Sequence, residues 1–174
     1  MGWSWFLLLL ATFPWLLASD LISDSLADSG LVCFLSGAAI VAPARRFGRG
    51  PAVFFALCIG FLFEARRPVM DGWLAFALAF SALAICGPQR LLRRPTAVWI
   101  AAIVVNAGAT LIWLVSGAYA ASLEGARTDL GLALWRGALQ LMVAAGAAAA
   151  FSPFMLRAQE SLMDRMGVPE AREA

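Results

Sequence analysis

A chain of 174 residues that is 62% hydrophobic and only 14% charged has more apolar surface than a soluble domain of its length can bury. All thirteen basic residues are arginine and histidine is absent, which removes the commonest general base and metal ligand. The length suits a single domain, and neither a cofactor nor catalytic chemistry is expected.

Six apolar blocks follow one another at residues 3–18, 30–43, 51–63, 71–87, 96–122 and 130–156. They predict an all-α integral membrane protein, with about six transmembrane helices bundled over residues 1–156 and a short cytoplasmic amphipathic tail over 157–174. The first block ends in Trp15-Leu16-Leu17-Ala18 and has two readings, a span or a cleaved signal peptide. The lack of Lys or Arg ahead of it, the bulky Trp3 and Trp5, and Pro14 within it favour the span. An acidic first loop with Asp20, Asp24 and Asp28 is expected next. The second and third blocks, at 14 and 13 residues, fall short of the roughly 17–25 that a straight span needs. Either they are short helices extended by their flanks, or they form a re-entrant pair among four full spans. The later loops are short and rich in Gly, Pro or Arg, as connections between packed helices are. Cys33, Cys58 and Cys86 lie inside apolar blocks without CxxC spacing, so they read as packing or lipid-facing residues.

Arginine counting sets the expected orientation. With the N-terminus inside, nine arginines (Arg45, Arg46, Arg49, Arg90, Arg93, Arg94, Arg157, Arg165 and Arg172) are cytoplasmic and three (Arg66, Arg67 and Arg127) are outside. Both termini are then cytoplasmic, and Trp3, Trp5, Trp73, Trp99 and Trp135 fall near block ends, where amphipathic rings settle at the interface.

Polar groups in lipid are costly, which makes Glu64, Asn106, Arg136 and Gln140 the candidate intramembrane residues. Glu64 and Arg136 share a predicted leaflet, either as a buried ion pair or with Arg136 snorkelling to headgroups and Glu64 pairing with Arg66 or Arg67. Asn106 is placed to hydrogen-bond across to a neighbouring helix, and Arg136 and Gln140, four apart, share a helix face. The run Ala144 to Ala150 predicts a close helix contact, within the bundle or with a partner chain. Beyond Pro153, apolar positions 155, 156, 162, 163 and 166 alternate with charge and predict a short amphipathic exit helix, lying at the interface or docking a partner. Ala148 and Leu162 are the expected partner contacts. No phosphate-binding loop, dinucleotide fingerprint, nucleophile elbow or metal motif is present in the sequence.

Residues 60–95, GFLFEARRPVMDGWLAFALAFSALAICGPQRLLRRP, resemble the central segment of the bacterial rod-shape-determining MreD family. There a Gly-rich span ends in an acidic residue, a short loop follows, and the next span leads into an arginine cluster. The exit AFSPFMLRAQESLMDRMG resembles that family's ending, where a proline breaks the helix before a charged tail. Glu64 departs from the family's usual Asp. The resemblance implies a non-enzymatic scaffold subunit of the cell-elongation machinery, with a fold related to vitamin-transporter substrate-binding subunits. It also implies membrane partners: a bitopic MreC-like protein, an MreB-like filament and peptidoglycan synthases, with no nucleic acid. The rival expectation is a small-molecule transporter subunit that binds its ligand at Glu64, Asn106, Arg136 and Gln140; a membrane enzyme ranks third for want of a His or a clustered acid set.

Overall fold

In hydrocarbon every backbone N–H and C=O needs a partner within the protein, which drives long apolar stretches into helices. A computed structural model describes residues 3–26, 31–65, 72–87, 94–123 and 130–168 and contains six helices among them. These are α1 (Ser4–Ser25), α2 (Ser36–Arg46), α3 (Arg49–Glu64), α4 (Trp73–Cys86), α5 (Pro95–Leu123) and α6 (Leu130–Arg165). Asp28, Arg66, Arg67, Arg90, Arg93, Arg127 and Arg172 lie outside the described residues.

Three helices are long and apolar enough to cross a membrane: α1, α5 over Pro95–Tyr119, and α6 over Gly131–Arg165. Helices α2, α3 and α4 have 11, 16 and 14 residues, which at 1.5 Å per residue reach only about 16, 24 and 21 Å. Instead of six comparable spans, three long helices frame three short ones. Helix α1 runs further than expected because no Gly or Pro follows Pro14 before its end; Asp20 and Asp24 therefore sit on the helix and not in a loop. Its buried stripe of Leu8, Thr12, Leu16 and Ser19 makes the first block part of the bundle.

Helix α6 is continuous for 36 residues, about 54 Å, through Pro153 and across residue 156. The expected break at Pro153 does not occur, and the reason is local. A proline inside a helix leaves the carbonyl four residues earlier without its N–H donor. Here that carbonyl is Ala149, and the Trp99 indole N–H donates to it from α5 at 3.2 Å. The same repair serves Pro43 in α2, whose orphaned carbonyl is Ala39: Gln159 Nε2 donates to it at 3.1 Å from α6.

Helix α2 is the hub. Every residue from Ser36 to Ala44 is buried, and the helix packs against all five others. Its approach to α5 depends on Gly37, where a Cβ would lie 2.0 Å from the Ala102 carbonyl oxygen. The most extensive pairing is the α3–α4 hairpin, where a Cβ on Gly60 would stand 2.3 Å from the Ala75 Cα. Bulky apolar side chains such as Phe76, Phe80 and Met142 instead point outward, each more than 70% exposed. Small residues at helix contacts with large ones outside is the arrangement of a bundle whose surroundings are lipid, where burial of apolar surface supplies no drive and close packing does.

The start of α1 meets the start of α3 through Trp5 and Phe54, with ring centroids 5.1 Å apart. The end of α4 meets α2 through the Cys86 thiol, which donates to the Ala44 carbonyl. Arg45 and Arg46 at the end of α2 bridge to Glu160 and Asp164 at the end of α6. The first and last described residues therefore share one end of the bundle.

Candidate functional site

Ahead of α2 the chain runs without regular structure from Leu31 to Leu35, and Val32, Cys33, Phe34 and Leu35 are all buried. Non-helical backbone at such depth survives only where the protein itself satisfies it. Two clamps do so. From α6, the Gln140 side chain works like a neighbouring strand: its Oε1 accepts from the Val32 N–H at 2.9 Å and its Nε2 donates to the Val32 carbonyl. From α1, Ser19 and Ser23 both donate to the Cys33 carbonyl, at 2.8 and 2.9 Å, and Ser23 Oγ accepts from the Cys33 N–H. Phe34 is wedged edge-on between Phe63 and Trp113.

Asn106 lies one turn along from this clamp. Its Nδ2 donates to the Ala144 carbonyl at 3.0 Å, and Ala144 is four residues after Gln140 on α6. The structure thus brings Asn106 and Gln140 to one region of the α5–α6 contact and leaves Glu64 and Arg136 apart from it. Glu64 ends α3 and caps α4, its Oε1 accepting from Leu74 and Ala75 at 2.6 and 3.1 Å and its Oε2 from Gly72 at 3.0 Å. A carboxylate suits that position, because the first-turn amides of a helix have no intrahelical acceptor and carry partial positive charge. No ion pair joins Glu64 to Arg136, which is exposed on the flank of α6, so the buried-pair reading is overturned.

Both expected partner contacts belong to the bundle's own packing. Ala148 is 1% exposed on an inward stripe of α6 that runs Gln140, Ala144, Ala148, Ser152, Met155, Gln159, Met163, at steps of three and four. A partner chain cannot reach it. Leu162 is half-buried against the core, because the helix beyond Pro153 folds along α1 and α2 and does not leave the bundle. Gln159 anchors that stretch, donating to Thr12 Oγ1 as well as to Ala39.

Two grooves open on the described surface. One, of about 290 Å³, lies between α1 and α3 and is lined by Phe13, Leu16, Leu17, Leu62, Phe63 and the carboxylate-bearing Asp20. The other, of about 380 Å³, lies where α2 ends, α5 begins and α6 passes, and three arginines line it. Among the described residues no group of three His, Cys, Asp or Glu side chains is placed to hold a metal ion. Among the described residues, the buried oxygens Ser36 Oγ, Asn106 Oδ1, Ser152 Oγ and Gln159 Oε1 have no hydrogen-bond partner. Comparison of the chain with protein-family models, with curated proteins and with solved structures found no match.

The sequence reading passed over Ser19, Ser23 and Gln159. Serines near a helix end and a glutamine among charges carry no signal of their own. What gives them a task is the irregular backbone of residues 31–35 and the proline at 43, and a rule that pairs each intramembrane proline with a distant donor would have found Gln159 and Trp99.

Proposed function

We propose that this chain is a non-enzymatic scaffold subunit of the bacterial cell-elongation machinery, held in the cytoplasmic membrane by several passes with both termini inside. The observation that carries the reading is how the intramembrane polar side chains are used. Gln140, Asn106 and Glu64 each serve the chain's own backbone, so their hydrogen-bonding capacity goes largely into holding one shape. A rigid bundle with most of its polar groups turned inward suits a part that positions other proteins. The MreD-like segments at 60–95 and 150–167 support the same reading, and the arginines gathered with both chain ends support a cytoplasmic placement of that end.

The buried oxygens left unpartnered among the described residues favour a second reading, a small-molecule transporter subunit, since a polar ligand would satisfy them. Affinity purification of the full chain from native membranes in mild detergent, together with the cell shape of a deletion strain, separates the two. The scaffold reading expects a bitopic periplasmic protein and a peptidoglycan synthase to co-purify, and deletion to turn rods into spheres. Normal shape with no co-purifying wall-synthesis protein rejects it, and loss of uptake of a small solute then supports the transporter.

A further inference from the structure

The groove at the arginine-rich end is amphipathic in a way the bundle's own stability does not require. Its polar end is formed by Arg45 and Arg46 from α2 and by Arg157 and Glu160 from α6; its walls are Pro95, Val98 and Trp99 of α5 and Pro153 and Leu156 of α6. Three guanidinium groups meet one carboxylate in the lining and a second, Asp164, on Arg46, which leaves a net charge of one positive (three minus two). The charges are not equivalent. Arg45 is engaged by Glu160 at 2.9 Å and Arg46 by Asp164, whereas Arg157 is exposed and has no carboxylate within 4.0 Å among the described residues. The positive end of the 29-residue helix α5 opens at the same place and faces the negative end of α2, so the excess charge rests on the arginines.

We propose that this groove binds an anionic glycerophospholipid, with Arg157 and Arg45 on the headgroup phosphate and an acyl chain along Val98, Trp99 and Leu156. Arginine is the side chain suited to phosphate oxygens, and basic clefts between helices at a membrane interface take acidic headgroups. The apolar wall decides for a lipid over a soluble anion. Trp99 is fixed there by its hydrogen bond to Ala149. A free phosphate would use the polar end and leave that wall bare. The net positive lining separates a net anionic headgroup from a zwitterionic one that carries the same phosphate.

The test uses the full chain, washed free of native lipid in detergent and then offered phosphatidylglycerol and phosphatidylethanolamine of identical acyl chains, with bound lipid counted by native mass spectrometry. Wild type should retain phosphatidylglycerol preferentially. Arg157→Ala should lower that preference about fivefold, the loss of one arginine's attraction to an anionic headgroup, and Arg157→Glu should abolish it. Glu160→Gln should raise retention, a gain that a folding defect cannot produce. Arg136→Ala, an exposed arginine far along α6, should behave as wild type. Equal retention of the two lipids by wild type overturns the proposal, as does an unchanged preference in Arg157→Glu, an equal drop in Arg136→Ala, or no gain in Glu160→Gln. Displacement of the lipid by millimolar inorganic phosphate would assign the groove to a soluble anion and also overturn it.

Discussion

The α3–α4 hairpin and the segment from Leu31 to Arg46 are both short, apolar and buried against each other, yet they are held by opposite means. The hairpin is stabilised by its near neighbours: Glu64 caps amides 8 to 11 residues ahead of it, and Gly60 lets the backbone meet Ala75. The central segment has a near clamp on Cys33, from Ser19 and Ser23, but otherwise depends on strangers. Its Val32 is held by a side chain 108 residues away, its Ala39 carbonyl by one 120 away, and its Arg45 by one 115 away. A hairpin with local contacts can form as soon as it is made, whereas a segment whose backbone bonds come from the last helix is only as stable as that helix's placement.

The comparison is broken most severely by Gln140→Leu. The change leaves an N–H and a C=O of Val32 buried without partners, and at roughly 1–3 kcal/mol for each stranded group the cost should be about 2–6 kcal/mol. Thermal unfolding in detergent should fall accordingly. In a variant with Cys58 and Cys86 replaced by Ser, labelling of buried Cys33 by a maleimide should accelerate. Unchanged melting and a protected Cys33 would mean that the clamp does not hold the segment.

Gly60→Leu attacks the hairpin instead. A side chain there meets the Ala75 backbone at a distance no rotamer relieves, so α3 and α4 must separate at a cost of about 1–3 kcal/mol or more. Cys33 labelling should change less than in Gln140→Leu, because the central clamp is elsewhere. Glu64→Ala should cost about 0.5–2 kcal/mol, the usual range for losing a helix cap, and hydrogen exchange should quicken first at Leu74 and Ala75. Arg136→Ala should leave the melting temperature where it is, since the side chain is exposed and unbridged; a large drop would restore the ion pair with Glu64 that the geometry denies.

Much of this was legible from residue types alone. The runs at 96–122 and 130–156 mark helices α5 and α6, and those at 51–63 and 71–87 mark α3 and α4, but that Glu64 caps α4 is not legible, because its partners are backbone amides and not the arginines beside it. Periodicity could not show that residues 31–35 are extended, because an apolar run of five looks alike as helix, strand or loop. Nor could it show that α6 passes Pro153 intact, since the donor that makes this possible is an indole on another helix. The sequence leaves the inward stripe of α6 open between bundle packing and a partner surface for a related reason. Small residues at a spacing of four report that something packs closely, and only the fold says that it is the chain's own α5 and α2.

The position of Gln140 also bears on how the protein is made. Chains enter the membrane from the N-terminus, so Val32 is synthesised 108 residues before the side chain that completes its hydrogen bonding. Until α6 arrives, the unwound stretch at 31–35 has Ser19 and Ser23 on Cys33 but no Gln140 on Val32, and the Ala39 carbonyl has no donor from Gln159. A half-made or truncated chain is thus marked by unsatisfied backbone at its centre, the kind of defect that invites water, chaperones or proteolysis. The last helix thereby serves as a proofreading step: a chain that ends before residue 130 should keep Cys33 open to labelling and be cleared from the membrane faster than the full-length protein.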